Sequence, residues 1–420
     1  MSSTVGASAP AASPPAAKVP GGFVTVHFLA LFGAWLALLA PTMISLAVKV
    51  EDLDASAKVS ALSWALGLGT LVALIANPLF GSLSDRCTSR FGSRRPYMAL
   101  GAAGGIVGLA VVATAHSTWQ IVLGWCIAQG MYNALVAAIY GALADQVPET
   151  QMGTVSSILA VASPLGTLGG TYLADVFTDS TTLMLLVPAV LGGLLVVPFL
   201  VYGRDRRIEP GSVSPFGLRD LLGSLWTNPV RHRDFGWAWL SRFMMWGSYA
   251  TATTYLAYYL SDVLGMSSSE VTRTVFLANL VFTVFVLLST VPAGWISDRI
   301  GRRKPIVLTA SVLMATGMAV LALGHTTALF YVAQGVMGLG MGVYYAVDIA
   351  LPADVLPDPA TAAKDLGVMN IAATLPYSLI ALVGPVLLAI GGGDNYAALF
   401  AFGAVVALVA SLVVLPVRRR

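Results

Sequence analysis

The chain has 420 residues, of which 57% are hydrophobic and only 10% charged, with a mean hydropathy of +0.81. Soluble domains carry about a quarter charged residues, so a water-exposed surface is excluded and most of this one must face lipid. The net charge of +3 is small, the basic residues form no stripe suited to nucleic acid, and Cys87 and Cys126 have no metal or redox spacing.

Residues 1–22 are rich in Ala, Pro and Ser and read as a disordered tail, because they offer too little to bury against the entropy of ordering. The apolar run after them is too long for a signal-peptide core and reads as a first membrane span. A bilayer core of roughly 30 Å takes about 20 apolar residues per helix. Runs of that size fall at 23–48, 59–82, 96–115, 119–143, 152–175 and 181–202. After a charged stretch they resume at 236–261, 270–293, 305–324, 328–352, 366–390 and 394–416. The short alternating segments of a barrel are absent from this pattern. The expected fold is therefore an all-α membrane protein of twelve transmembrane helices.

Lys and Arg placement orients it. One side collects Arg86, Arg90, Arg94, Arg95, the run from Arg204 to Arg233, then Arg299, Arg302, Arg303, Lys304, Lys364 and Arg418 to Arg420. The other receives Lys49, Lys58 and Arg273. Both termini and the central segment are thus expected in the cytoplasm of a multi-pass plasma-membrane protein.

The two halves repeat. Gly81-Ser-Leu-Ser-Asp85-Arg86 returns as Gly294-Trp-Ile-Ser-Asp298-Arg299, Gln129-Gly130 as Gln334-Gly335, and Ala-Asp145-Gln-Val-Pro148 as Ala-Asp354-Val-Leu-Pro357. Three landmarks in one order, 213, 205 and 209 residues apart, predict two pseudo-symmetric six-helix bundles, 23–203 and 236–417. Between them lies a linker, 204–235, and a basic tail, 418–420, ends the chain. Parallel repeats of this kind bind substrate near the midplane between the halves.

The loop after the second span runs from Gly81 to Pro96 through Asp85, Arg86, Arg94 and Arg95, and its counterpart from Gly294 to Pro305 through Asp298, Arg299, Arg302 and Arg303. Both resemble the signature loop of major facilitator transporters. Glycine permits a tight turn, a carboxylate suits a helix N-terminus, and arginines suit an acid at a neighbouring helix end. The resemblance implies Asp85 near the start of helix 11, Asp298 near the start of helix 5, Arg94 or Arg95 on Asp145, and Arg302 or Arg303 on Asp354. Asp85-Arg-Cys-Thr-Ser-Arg-Phe-Gly-Ser-Arg-Arg-Pro96 also resembles the same loop of sucrose–proton symporters, in the glycoside–pentoside–hexuronide group. The stretch 346–370 resembles bacterial relatives of those symporters. Cation-coupled uptake of a glycoside is what this resemblance implies. The chain departs from the plant carriers at Gln129, where they place an aspartate, and keeps the nearby asparagine as Asn133. It departs from many proton-driven drug exporters at Cys126 and Tyr331, where they carry an arginine.

Ionisable groups at membrane depth are costly and face the bundle interior or a wet cavity. His27 suits packing. Asp348 is the one acid clearly inside a span and the candidate for carrying a coupling proton, with a salt bridge to Arg242 as its structural alternative. Helical spacing groups Gln129, Tyr132, Asn133 and Tyr140 on one face, Arg242, Trp246, Tyr249 and Thr253 on another, and Tyr344, Tyr345 and Asp348 on a third. Aromatic faces beside amide and guanidinium donors suit a polyhydroxylated ring, whereas ordinary inter-helix packing uses the same residue types as polar glue. Asn279 and Asn370 are further substrate-binding candidates. No metal-binding cluster, no phosphate-cradling glycine loop and no catalytic constellation is visible, so neither cofactor nor enzyme activity is expected. The partners expected are a small-molecule substrate, a sugar by the resemblance, a proton and membrane lipid, acting on a monomer. Efflux of amphipathic compounds and a non-transporting sensor on the same fold are the alternatives.

Overall fold

The computed structural model describes residues 20–148, 151, 155, 158–159, 161–203, 205–208, 227–348, 355 and 362–417, with the side chains of 298, 362–364 and 366 left aside. We number its helical spans α1 Gly21–Leu53, α2 Lys58–Ser84, α3 Arg95–Ala113, α4 Thr118–Gln146, α5 Ala162–Val176 and α6 Thr181–Tyr202. The second half has α7 Arg233–Thr254 with its continuation Leu256–Asp262, α8 Ser268–Ile300, α9 Lys304–Leu323, α10 Thr327–Asp348, α11 Ala362–Leu388 and α12 Tyr396–Val413. Ten of these are long and apolar enough to cross a membrane. The other two are α5, of which 15 residues are described as one helix, and α7, which is broken and carries Arg233, Asp234 and Arg242.

Departures from the expected spans have local causes. Pro41 cannot donate to the preceding turn, and Pro41–Ser45 widen into a π segment that keeps α1 continuous. The run expected unbroken at 236–261 is interrupted at Tyr255, whose φ of −115° and ψ of 19° leave the helical region. α8 runs on to Ile300 and stops where Gly301 turns left-handed at φ 65°.

The two faces start their helices differently. Opposite the signature loops, side chains cap: Ser117 accepts from Gln120 N–H, Ser180 from Leu183, Asn395 from Ala398, and Ser267 with Glu270 completes a reciprocal box. On the signature-loop face, α3 and α9 begin instead with proline in the first turn, Pro96 and Pro305.

Each half packs through small residues. Lipid supplies no hydrophobic drive between helices, so close backbone approach and dispersion must hold them together. A Cβ on Gly33 of α1 would collide with the Gly192 carbonyl of α6, and one on Gly192 with the Gly33 carbonyl. In the other half, Gly340 of α10 fits against the backbone of α9 at Ala310 and Met314. Gly33→Val should therefore force α1 and α6 apart and cost about 1–3 kcal/mol. Thermal unfolding in detergent checks this against Gly22→Val, where nothing lies within 4 Å of an added Cβ. Equal melting of the two variants would refute the close crossing.

The halves meet mainly through α2 against α11 and α5 against α8. Among the described residues, the hydrogen bonds joining them gather at the face opposite the signature loops. Ser63 there meets Tyr255, and Thr272 meets Asp175 and Thr178.

Candidate functional site

The first signature loop folds around one guanidinium. Arg94, 6% exposed in its side chain, donates from Nε to Asp145 at 3.0 Å, from Nη1 to Ser84 Oγ at 2.6 Å, and from Nη2 to Asp85. The space for it comes from Gly141, where a Cβ would stand 2.6 Å from Arg94 Cζ. Asp205 of the linker completes the loop by accepting from the backbone N–H of both Arg94 and Arg95 at 2.9 Å, which caps α3 from outside its own segment. Arg95 donates to the Gly203 carbonyl, and Ser93 N–H to that of Arg206 at 2.9 Å.

The second loop repeats part of this arrangement. Arg303 donates from Nη1 to Ser297 Oγ at 2.8 Å, as Arg94 does to Ser84. An added Cβ on Gly81 meets Ala137 of α4 at 4.0 Å, and on Gly294 meets Ala346 of α10 at the same distance. The expectations for Asp298 and Asp354 lie outside the described residues. Arg86 turns back to the Ser82 carbonyl, Arg299 lies over the Trp295 ring at 5.2 Å, and Arg302 is exposed.

Asp85 pairs with Arg94 inside its own half and its side chain is 54% exposed. Its expected place at the start of helix 11 involves residues outside the described ones.

The N-terminal half carries a carboxamide cluster at mid-span. Asn133 donates from Nδ2 to the Gln129 carbonyl at 2.9 Å and lies 3.3 Å from Gln129 Oε1, while Asn77 of α2 donates to Asn133 Oδ1 at 3.4 Å. Tyr132 and Tyr140 do not join it. Tyr132 is 1% exposed and its ring lies where Gly105 of α3 has no side chain; Tyr140 is 45% exposed. At about 100° per residue, position 132 falls roughly 60° to one side of 129 and 133 to the other, enough to turn its ring into the bundle.

The C-terminal half holds an ion pair and an aromatic wall. Arg242 of α7 donates from Nη2 to Asp348 Oδ2 at 2.9 Å and from Nη1 to the Asp348 carbonyl at 3.0 Å. Both side chains are nearly buried, at 14% and 9% exposure. The Trp246 indole N–H and the Tyr344 hydroxyl stand toward the Asp348 carboxylate as longer, weaker donors, and Arg242 Nε and Asn279 Nδ2 are buried without a hydrogen-bond partner. Such groups are costly to leave unpaired, by about 1–3 kcal/mol each. Trp246 stands edge-on to Tyr249 at 6.0 Å and at the same distance from Tyr345, and Tyr249 stacks on Phe282 of α8 at 5.3 Å. Tyr344 is 3% exposed beside Asp348, and Asn370 is exposed on α11. Phe282, Asn77 and Tyr377 of α11, which stands within electrostatic reach of Tyr249 and Tyr345, were not singled out from sequence. Their signal was helical spacing on α8, α2 and α11, legible only once α4, α7 and α10 were known to be their neighbours.

The arrangement places hydrogen-bonding amides on one half and a half-satisfied charge pair with aromatic faces on the other. The family model of the Major Facilitator Superfamily matches residues 24–288 and 270–420. A multidrug resistance protein, MdtL of Shewanella oneidensis, is 34% identical over 113 residues, a match that spans 26% of either chain. An uncharacterized MFS-type transporter of Schizosaccharomyces pombe is 26% identical over 153 residues, 36% of this chain and 32% of its own. In fold, the nucleoside transporter NupG superposes with a TM-score of 0.74 at 14% identity, covering 94% of this chain and all of that one. The human organic anion transporter MFSD10 does so with a TM-score of 0.66 at 18% identity, covering 94% of this chain and 100% of its own. With nearly its whole length matched by the family model, the chain belongs to the Major Facilitator Superfamily.

Proposed function

We propose that the chain is a plasma-membrane carrier that takes up a sugar or glycoside together with a proton, by alternating access. In this reading 23–203 and 236–417 are the moving bundles and 204–235 is a cytoplasmic linker. The tails 1–22 and 418–420 also lie in the cytoplasm, in keeping with the Lys and Arg bias. The observation that carries it is the incompletely paired Arg242–Asp348 couple beside the rings of Trp246, Tyr249 and Tyr345. A polyhydroxylated ring satisfies unpaired donors and acceptors and offers C–H faces to aromatics. A carboxylate inside the span is the group able to take up and release the coupling proton. The loop resemblance to sucrose–proton symporters supports the same substrate class.

The local likeness to MdtL favours a second reading, export of amphipathic compounds. Labelled disaccharides, sucrose among them, separate the two in right-side-out vesicles given an inside-alkaline gradient. Uptake above equilibrium that a protonophore collapses is the expected result. No gradient-driven uptake of any disaccharide, with extrusion of a fluorescent amphipath from the same cells, would establish the second reading instead.

A further inference from the structure

We propose that the end of α8 and the turn after it, Trp295 to Lys304, form a binding site for the headgroup of an anionic phospholipid. The proposal stands on the membrane-spanning fold and needs neither the substrate nor the direction of transport.

Val284, Leu288, Val291, Trp295 and Arg299 fall at i, i+4, i+7, i+11 and i+15 along α8, so they share one face. All five are exposed, Val291 at 76% and Trp295 at 62%. Toward the signature-loop end, three aliphatic residues give way to a tryptophan and then to an arginine. That order follows the depth profile of one lipid leaflet, with acyl chains beside the aliphatics, the indole at the interface and the cation at the phosphate. The helix stops at Gly301, whose φ of 65° turns the chain, and the exposed Arg302 comes next.

Positive charge accumulates at this corner. Residues 295–305 hold Arg299, Arg302, Arg303 and Lys304 against a single acid, Asp298. Arg299 lies over the Trp295 ring, 5.2 Å from its centroid. A guanidinium stacks by its face and binds phosphate through its in-plane fork, so a ring can hold it in place without consuming the donors that phosphate needs. Among the described residues, Arg302 makes no hydrogen bond or ion pair.

The internal repeat shows what this half lacks. In the first half Arg95 donates to the Gly203 carbonyl and, two residues further on, Asp205 accepts from the N–H groups of Arg94 and Arg95. In the second, Lys304 Nζ donates to the Leu415 carbonyl at 2.8 Å, and two residues further on stands Val417, buried and uncharged. The sequence continues from there as Arg418-Arg419-Arg420. Where the first half brings an acid to its loop, the second supplies more cations, and an anion from outside completes it. Basic segments beside a span draw anionic headgroups in this way. The aliphatic stripe selects a phospholipid over free phosphate, because only the lipid covers both parts of the face.

The test is lipid binding to the purified chain in neutral detergent, followed by native mass spectrometry. Dioleoyl-phosphatidylglycerol is expected to bind about 25-fold more tightly than dioleoyl-phosphatidylcholine. Arg302→Gln should weaken the phosphatidylglycerol about fivefold, and Arg299→Gln with Arg302→Gln should bring it to the level of phosphatidylcholine. Both side chains are exposed, so these variants should melt with the parent. Arg273→Gln, exposed near the other end of α8, should bind as the parent does. Glycerol 3-phosphate, which carries the phosphate without the chains, should not displace the lipid. Equal binding of the two lipids, no loss in either arginine variant, the same loss in Arg273→Gln, or displacement by glycerol 3-phosphate would each overturn the proposal.

Discussion

Arg94→Ala is expected to remove about 3–5 kcal/mol of stability, the cost of stripping the partner from a buried charge. The cost falls mainly on Asp145. Its side chain is 15% exposed, and its other basic neighbour, Arg206, stands 3.9 Å away with most of its side chain in solvent. Asp85 is half exposed and recovers hydration, so its pairing contributes little. Arg94→Lys keeps the charge but loses the planar fork that serves Asp145, Ser84 and Asp85 at once, so an intermediate loss is expected. Arg90→Ala is the control: this guanidinium rests on the exposed Phe91 ring, 4.7 Å from its centroid, and its removal should stay within about 0.5 kcal/mol. Unfolding in detergent monitored for all three variants decides the matter. If Arg94→Ala melts with Arg90→Ala, the loop is a set of topogenic charges and not a folded element.

This result also separates what the sequence made legible from what it concealed. The membrane spans were readable because lipid imposes a length and a composition on every crossing helix, and the repeat was readable because both halves solve the same loop problem. The contact of Arg94 with Asp145 follows from that pattern, as an arginine and an acid at adjacent helix ends. Ser84 and Ser297 stood in the same repeat, yet nothing in a serine announces that it will receive an arginine. Tyr132 shows a different limit. A helical wheel places it near Gln129 and Asn133, and only the glycine on α3 that makes room for its ring decides which way it turns. The seal at the opposite face was hidden altogether. Lys58 reads from sequence as a stray charge among few, and Tyr255, Tyr258 and Tyr396 as ordinary interfacial aromatics. Their meaning comes from partners about 130 to 210 residues away, for which local spacing holds no information.

Asp348→Asn carries the largest functional expectation. A proton gradient of one pH unit corresponds to about 1.4 kcal/mol, hence about tenfold accumulation for each proton carried with the substrate. The variant should bring that ratio down to about one, while exchange of labelled for unlabelled sugar down a gradient continues, since the amide still offers an acceptor to Arg242. The competing role is a structural bridge, because Asp348 and Arg242 are close at 2.9 Å and nearly buried. The double variant Arg242→Gln with Asp348→Asn distinguishes them. A bridge that only holds α7 to α10 is replaceable by two neutral hydrogen-bonding side chains, and both stability and accumulation should then return. A proton carrier is not replaceable in this way: stability recovers, exchange persists, and uphill transport stays lost. Accumulation undiminished in Asp348→Asn itself rules out coupling through this carboxylate. The buried Arg242 Nε, unpaired beside it, would then have to be explained by substrate alone.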